Sequence, residues 1–350
     1  MTEEKQMILN MLKDGKITVE EASDLLAAIG DKKKSDNDLG GKITSAVDNI
    51  IKKATETLSN IDLDNMIDLN NFNIKGEFNT HKDIRIDDEI DNINIDLVNG
   101  DIIVEKADDP GIILSYDIYS KKPNLDDYLD VEIKDGKLSI SQNEAYKNVQ
   151  ASVNLKLALG KALYENLNID SVNGKVEVAD VDFDNLNIDT VNAKINLINI
   201  KAAIDIDNVN GKIDIKNTLG KLSIDNVNGA IYLANLRGEL AEVDTVNGNV
   251  RVDGLESDKF SADSNQGSIR VYNIKNTKEI DLDTRNGAVV VDTTDYPGEI
   301  RAFVESPATN VTEKFENKIK TSTGYEISTT NDEADLEIKA STGFGRVSIR

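Results

Sequence analysis

Three features of the 350-residue chain predict a mainly β fold: a parallel β-solenoid (β-helix) of coils of about nineteen residues, preceded by a small α-helical N-terminal module. A six-residue motif recurs on an almost fixed period. Apolar residues alternate at fixed offsets from that motif. The apolar residues are mainly Ile, Leu and Val, with 5% aromatic content and no Trp, which suits stacked, half-buried strands.

The motif runs Ile95-Asp-Leu-Val-Asn-Gly100, Ile169-Asp-Ser-Val-Asn-Gly174, Ile188-Asp-Thr-Val-Asn-Ala193 and Ile206-Asp-Asn-Val-Asn-Gly211. It continues as Ile224-Asp-Asn-Val-Asn-Gly229, Val243-Asp-Thr-Val-Asn-Gly248, Ala262-Asp-Ser-Asn-Gln-Gly267 and Leu282-Asp-Thr-Arg-Asn-Gly287. From Gly174 the last position advances by 19, 18, 18, 19, 19 and 20 residues, the mark of a repeat array. On the same ruler, the 74 residues from Gly100 to Gly174 predict about four coils. The 58 from Gly287 to Gly345 predict about three, with an irregular one near Pro307.

Pairs such as Leu222/Ile224 before the glycine and Ile231/Leu233 after it alternate strictly, so each short run has one face in and one out. Asn-Gly between alternating runs is also a hairpin signal, and a meander is the competing fold. The fixed phase of every column, including the apolar residue seven positions after the glycine, favours coils stacked about 4.8 Å apart.

Residues 1–30 read as a helical hairpin: Met7, Ile8, Met11 and Leu12 recur at helical spacing, Asp14-Gly15 turns, and Thr18 with Glu21 forms a capping box. Residues 31–60 are a polar linker and an amphipathic helix carrying Ile43, Val47, Ile50, Ile51, Ala54 and Leu58, and residues 61–350 are the repeat body. Self-association through these N-terminal helices is one expectation. The start, Met1-Thr-Glu-Glu-Lys-Gln-Met, lacks a basic region followed by an apolar stretch. No run is apolar enough to span a bilayer. The expected location is cytoplasmic or peripheral to the membrane, with the cell surface, by unconventional export, as the alternative.

Formal net charge is −24, and residues 1–60, with eleven acids and nine bases, supply only −2 of it. That field repels nucleic acid and attracts cationic peptides or proteins. There is no Cys and one His, His81, which argues against thiolate or multi-His metal sites and against His-based catalysis. No phosphate loop or nucleophile elbow is present, so no enzyme activity and no cofactor are expected.

Two outward columns carry the candidate chemistry. Asp170, Asp189, Asp207, Asp225, Asp244, Asp263 and Asp283 share one position and form a carboxylate ladder that either recruits a cation or cationic ligand or caps the turn backbone. Asn173, Asn192, Asn210, Asn228, Asn247 and Asn286, with Gln266 in phase, form a structural amide ladder at the turn. Lys175, Lys194 and Lys212, just after their turns, are expected to neutralise part of the Asp column.

The Thr-Val-Asn-Gly-x-Val-x-Val pattern at 245–252, and its close variant at 171–178, resembles the bacterial "putative-adhesin" β-strand-repeat family, a domain of unknown function. The segment from Ile8 to Leu26 resembles the short helical module that precedes this domain in Firmicute proteins of the YvlB and LiaX type. The resemblance implies an adhesin-like β-helical protein linked to cell-envelope stress, with envelope-stress proteins or cationic peptides as partners and no catalytic residues. A self-assembling scaffold and a carbohydrate-binding β-helix are the alternatives.

Overall fold

The computed structural model describes residues 77–312, 315–329 and 333–350. The expected helical module (1–30) and amphipathic helix (31–60) lie outside these residues. The described chain is mainly β, with one short 3-10 turn at Glu144–Tyr146. It divides into two compact units that alternate in sequence. Their described parts are 77–177, 187–194 and 207–209 for the first, and 178–186, 195–206 and most of 210–350 for the second.

The second unit repeats one register. Ile195 pairs in parallel with Ile213, Ile213 with Ile231, Ile231 with Val250, Val250 with Ile269, and Ile269 with Val289. Each step advances one period of the motif, so successive repeats lie directly on one another. A second ladder stacks Leu222, Ala241, Phe260 and Ile280, all buried, with the small Ala241 beside the bulky Phe260. Alternation explains the burial in the first half of each run: Ile213 and Ile215, like Leu222 and Ile224, enter the interior, and the residues between them face outward.

Spacing arithmetic fails at both long gaps. Asn92–Asn99 pairs directly with residues 166–173, so the 74 residues between them are one layer plus an excursion, not four coils. The excursion places Lys137–Gln142 on the other side of Asn92–Asn99 and adds the hairpin strand Leu129–Lys134 outside it. Glu77–Ile86, Ile112–Ser120 and Ala151–Leu159 form antiparallel ladders in the same unit. Likewise Val289 pairs with Val347 and Ile280 with Ile338, one layer across 58 residues instead of three. Strand Leu336–Phe344 has Glu279–Asn286 on one side and Ile300–Glu305 on the other. The last strands of the chain are thus interleaved between two earlier layers. Hydrogen-bonding register fixes neighbours whatever the sequence separation, and an excursion need not be a multiple of the period.

The glycine corner has a steric cause. A Cβ on Gly229 would lie 1.9 Å from the carbonyl oxygen of Gly211 in the layer below, at a φ of +140°. Backbones approach there more closely than any side chain allows.

Candidate functional site

The Asp column lies on the strand before the glycine corner, facing outward. In the second unit Asp225 pairs in register with Asp244, Asp244 with Asp263 and Asp263 with Asp283, each half-buried. Ser341 and then Glu305 continue the row. In the first unit Asp170 lies in register with Asp96, Asp189 is half-buried, and Asp207 is buried. Strand spacing sets the backbones that carry these side chains about 4.8 Å apart. Desolvation raises the Asp283 carboxyl above its usual range; the Ser341 hydroxyl partly offsets this, and repulsion from Asp281 and Glu305 adds to it. Among the described residues no three acidic or His side chains converge to hold a metal ion. The column is therefore a linear row of carboxylates, one per layer.

The amide column forms hydrogen-bonded runs within each unit. Asn173 donates to Asn99 at 2.8 Å and Asn192 to Asn173 at 2.9 Å. Asn228 donates to Asn210 at 2.9 Å and Asn247 to Asn228 at 3.0 Å. Asn286 is exposed, in register with Gln266 on one side and with Phe344, itself 71% exposed, on the other.

The lysines behave differently from the expectation. Lys175 pairs with Glu177 and Lys212 with Asp214, two residues along the same strand. Side chains at i and i+2 share a face, whereas the Asp column lies on the strand before the corner. Lys194 is exposed.

Two columns escape a reading based on the motif alone. From Asp170 onward, the residue after each Asp of the column is a buried Ser, Thr or Asn. Thr284 reaches a neighbouring turn, donating to the Gly267 carbonyl at 2.9 Å, and Thr342, in register with it after Ser341, does the same to the Gly287 carbonyl at 2.9 Å. The small polar residue at that place in each motif from Ile169 onward was the available signal. A second corner, six residues after the glycine, holds Asp180, Asn199, Asn217 and Asn235 at φ of 53–61°. Their amides stack too, with Asn217 donating to Asn199 and Asn235 to Asn217 at 2.8 Å. Asn tolerates this left-handed geometry, and the 18-residue spacing of 199, 217 and 235 announces it.

In the first unit a polar recess of about 510 Å³ opens beside the hairpin turn. Asn92, Asn94, Asn166 and Asn168 line it, faced by Glu132, Lys134 and Lys137. Such a surface offers donors and acceptors but no apolar platform.

His81, on the outer strand Glu77–Ile86, sits between Asp117 (2.8 Å to Nδ1) and Asp83 (3.1 Å to Nε2). Ser115 donates to Asp83 at 2.6 Å rather than to the imidazole, so these groups assemble no Ser–His–Asp relay. The hydrogen bonds to Asp117 and Asp83 raise the imidazole above its ordinary value of 6.5. Stabilisation from this clamp is therefore fully present below pH 6.5 and lost as pH rises through the raised value. The expected result for His81→Gln is a smaller difference in thermal midpoint between about pH 5.5 and about pH 8.5 than in the parent; an unchanged difference would contradict the clamp.

A family model with the description "Toastrack DUF4097" matches residues 90–350, well over half of the chain. The chain belongs to the Toastrack DUF4097 family. The Toastrack region spans nearly all the described residues, and a second model, for a SHOCT-like domain, matches residues 3–34, outside them. Similar solved structures include a "putative adhesin" from Parabacteroides merdae at 14% identity and TM-score 0.48, covering 79% of this chain and 97% of that one. A "putative adhesin" from Bacteroides fragilis matches at 15% identity and TM-score 0.38, covering 77% and 96%. A "putative lipid binding protein" from Parabacteroides distasonis matches at 16% and 0.42, covering 79% and 98%. No curated protein matches the chain. With these scores below 0.5, the architecture of this Toastrack chain rests on its own ladders.

Proposed function

We propose that this Toastrack protein is a non-enzymatic, adhesin-like β-solenoid whose acidic face receives a cationic peptide or a basic segment of a partner protein, in the setting of cell-envelope stress. One observation carries the reading: Asp225, Asp244, Asp263 and Asp283 stand in register on four adjacent strands, continued by Ser341 and Glu305. A lysine-rich peptide lying across the strands meets one carboxylate per layer. Its charge stabilises the ionised form of Asp283, so affinity falls as pH drops through that group's raised value.

The test is titration of the full chain with a fluorescent oligolysine at low and high salt, alongside a variant with all four Asp changed to Asn. Exposed ion pairs contribute about 0.2–1 kcal/mol each, so the quadruple variant is expected to bind roughly tenfold more weakly. Added salt has the same direction of effect. Affinity indifferent to both changes would sink the acidic-comb reading. Protease treatment of intact cells tests the envelope setting, because a surface partner requires the chain to be cleaved while a cytoplasmic control survives.

A further inference from the structure

The opposite chemistry appears on another outward face of the second unit. Strands Ile213–Leu219, Ile231–Asn247, Val250–Gln266 and Ile269–Ile274 lie side by side, in parallel. In one outward column Tyr232 is followed by Arg251 and then Arg270 on successive strands. Tyr272, two residues beyond Arg270, sits diagonally from Arg251, whose guanidinium lies 4.7 Å from the centre of its ring. Lys216 lies 6.0 Å from the centre of the Tyr232 ring.

We propose that Arg251 and Arg270, flanked by Tyr232 and Tyr272, form a binding site for an oxyanion, the carboxylate or phosphate of an extended anionic ligand. Like charges placed directly opposite in a ladder repel, and Arg251 and Arg270 are direct cross-strand neighbours. Their neutralisation within the chain is incomplete. Asp253 is 3.4 Å from Arg251, and its other oxygen already accepts from Asn273 at 2.6 Å. Arg270 forms no ion pair among the described residues. An oxyanion bridging the two cations relieves their repulsion and gains charge-assisted hydrogen bonds from both.

Stacking on Tyr272 holds Arg251 against the sheet, so little side-chain freedom remains to be lost on binding. The tyrosine rings supply flat surface for the ligand's backbone or sugar rings. An outward sheet face is open along the stacking direction, which suits a polymer passing over several layers. Asp214, in register with Tyr232, is already engaged by Lys216 at 3.1 Å and by Lys212 at 3.0 Å.

The test titrates the full chain at low salt with polygalacturonate, which carries carboxylates, with polyphosphate, and with neutral dextran. R251Q, R270Q and the acidic-comb variant D244N are run in parallel, and matching thermal midpoints confirm that each folds. The expected result is binding of at least one polyanion and none of dextran, weakened roughly tenfold by either Arg substitution and not weakened by D244N. The polyanion that binds identifies the group as carboxylate or phosphate. Absence of binding to both polyanions, equal binding of dextran, or affinity retained in R251Q and R270Q would each overturn the site. So would a fall in the mass of the ligand-free protein in R251Q and R270Q, because the carboxylates engaged would then be those of a second copy.

Discussion

A chain ending at residue 335 is expected to lose the far end of its second unit, not merely a tail. Leu336, Ile338, Ala340, Val347 and Ile349 are all at most 2% exposed. At about 2 kcal/mol for each fully buried aliphatic side chain, their removal costs on the order of 10 kcal/mol, comparable to the whole stability of a typical domain. Their loss also leaves Ile280 and Leu282 without neighbours on one side, and Ile300, Ala302 and Val304 on another. Limited proteolysis of the truncated chain should cut within 279–329 at protease concentrations that leave the full chain intact. A digestion pattern and thermal midpoint matching the full chain would show that the interleaved strands contribute nothing.

Gly229→Val is expected to give the largest effect of any single substitution considered. The new side chain starts 1.9 Å from the Gly211 carbonyl oxygen, and a β-branched residue cannot adopt a φ of +140° without strain. The obstacle is backbone, so no rotamer avoids it and two layers must separate. A cost of about 4 kcal/mol, corresponding to a fall of roughly 10 °C in thermal midpoint, is expected by calorimetry. Ala230→Val, one residue along at an exposed position, serves as the control and should change the midpoint by about a degree or less. Equal midpoints for the two variants would contradict the close approach at the corner.

The stacking direction was legible because the same residue types recur at the same places. Ile213, Ile231, Val250 and Ile269 are in phase in the sequence and adjacent in the ladders. The Asn and Asp columns could be named from the motif for the same reason. The two long gaps could not be read this way: Gly100 and Gly174 are neighbours in space, and nothing in the spacing distinguishes a stacked coil from an excursion. Direct pairing of Asn92–Asn99 with residues 166–173 depends on where the intervening Ile112–Ser120 and Ala151–Leu159 strands find partners, which is a long-range choice. Alternation along a strand decides which charges share a face, so Lys212 meets Asp214, two residues on, and not the Asp column. Arg251 and Arg270 share one position, three residues after their glycines, but the residue type there changes from Asp214 to Tyr232, Arg251, Arg270 and Val290, so no repeated residue marks the pair.

The place of the last strands has a mechanical consequence. In a stack that ends with its own C-terminus, a force on the terminus would peel the outermost layer away, one hydrogen bond at a time. Here a pull on Arg350 acts on strands Leu336–Phe344 and Arg346–Ile349, which are hydrogen-bonded in parallel on both sides. Tension along these strands loads two ladders at once, in shear, so many bonds share the force before any breaks. The terminus behaves as a pin held between two plates rather than the free end of a tape.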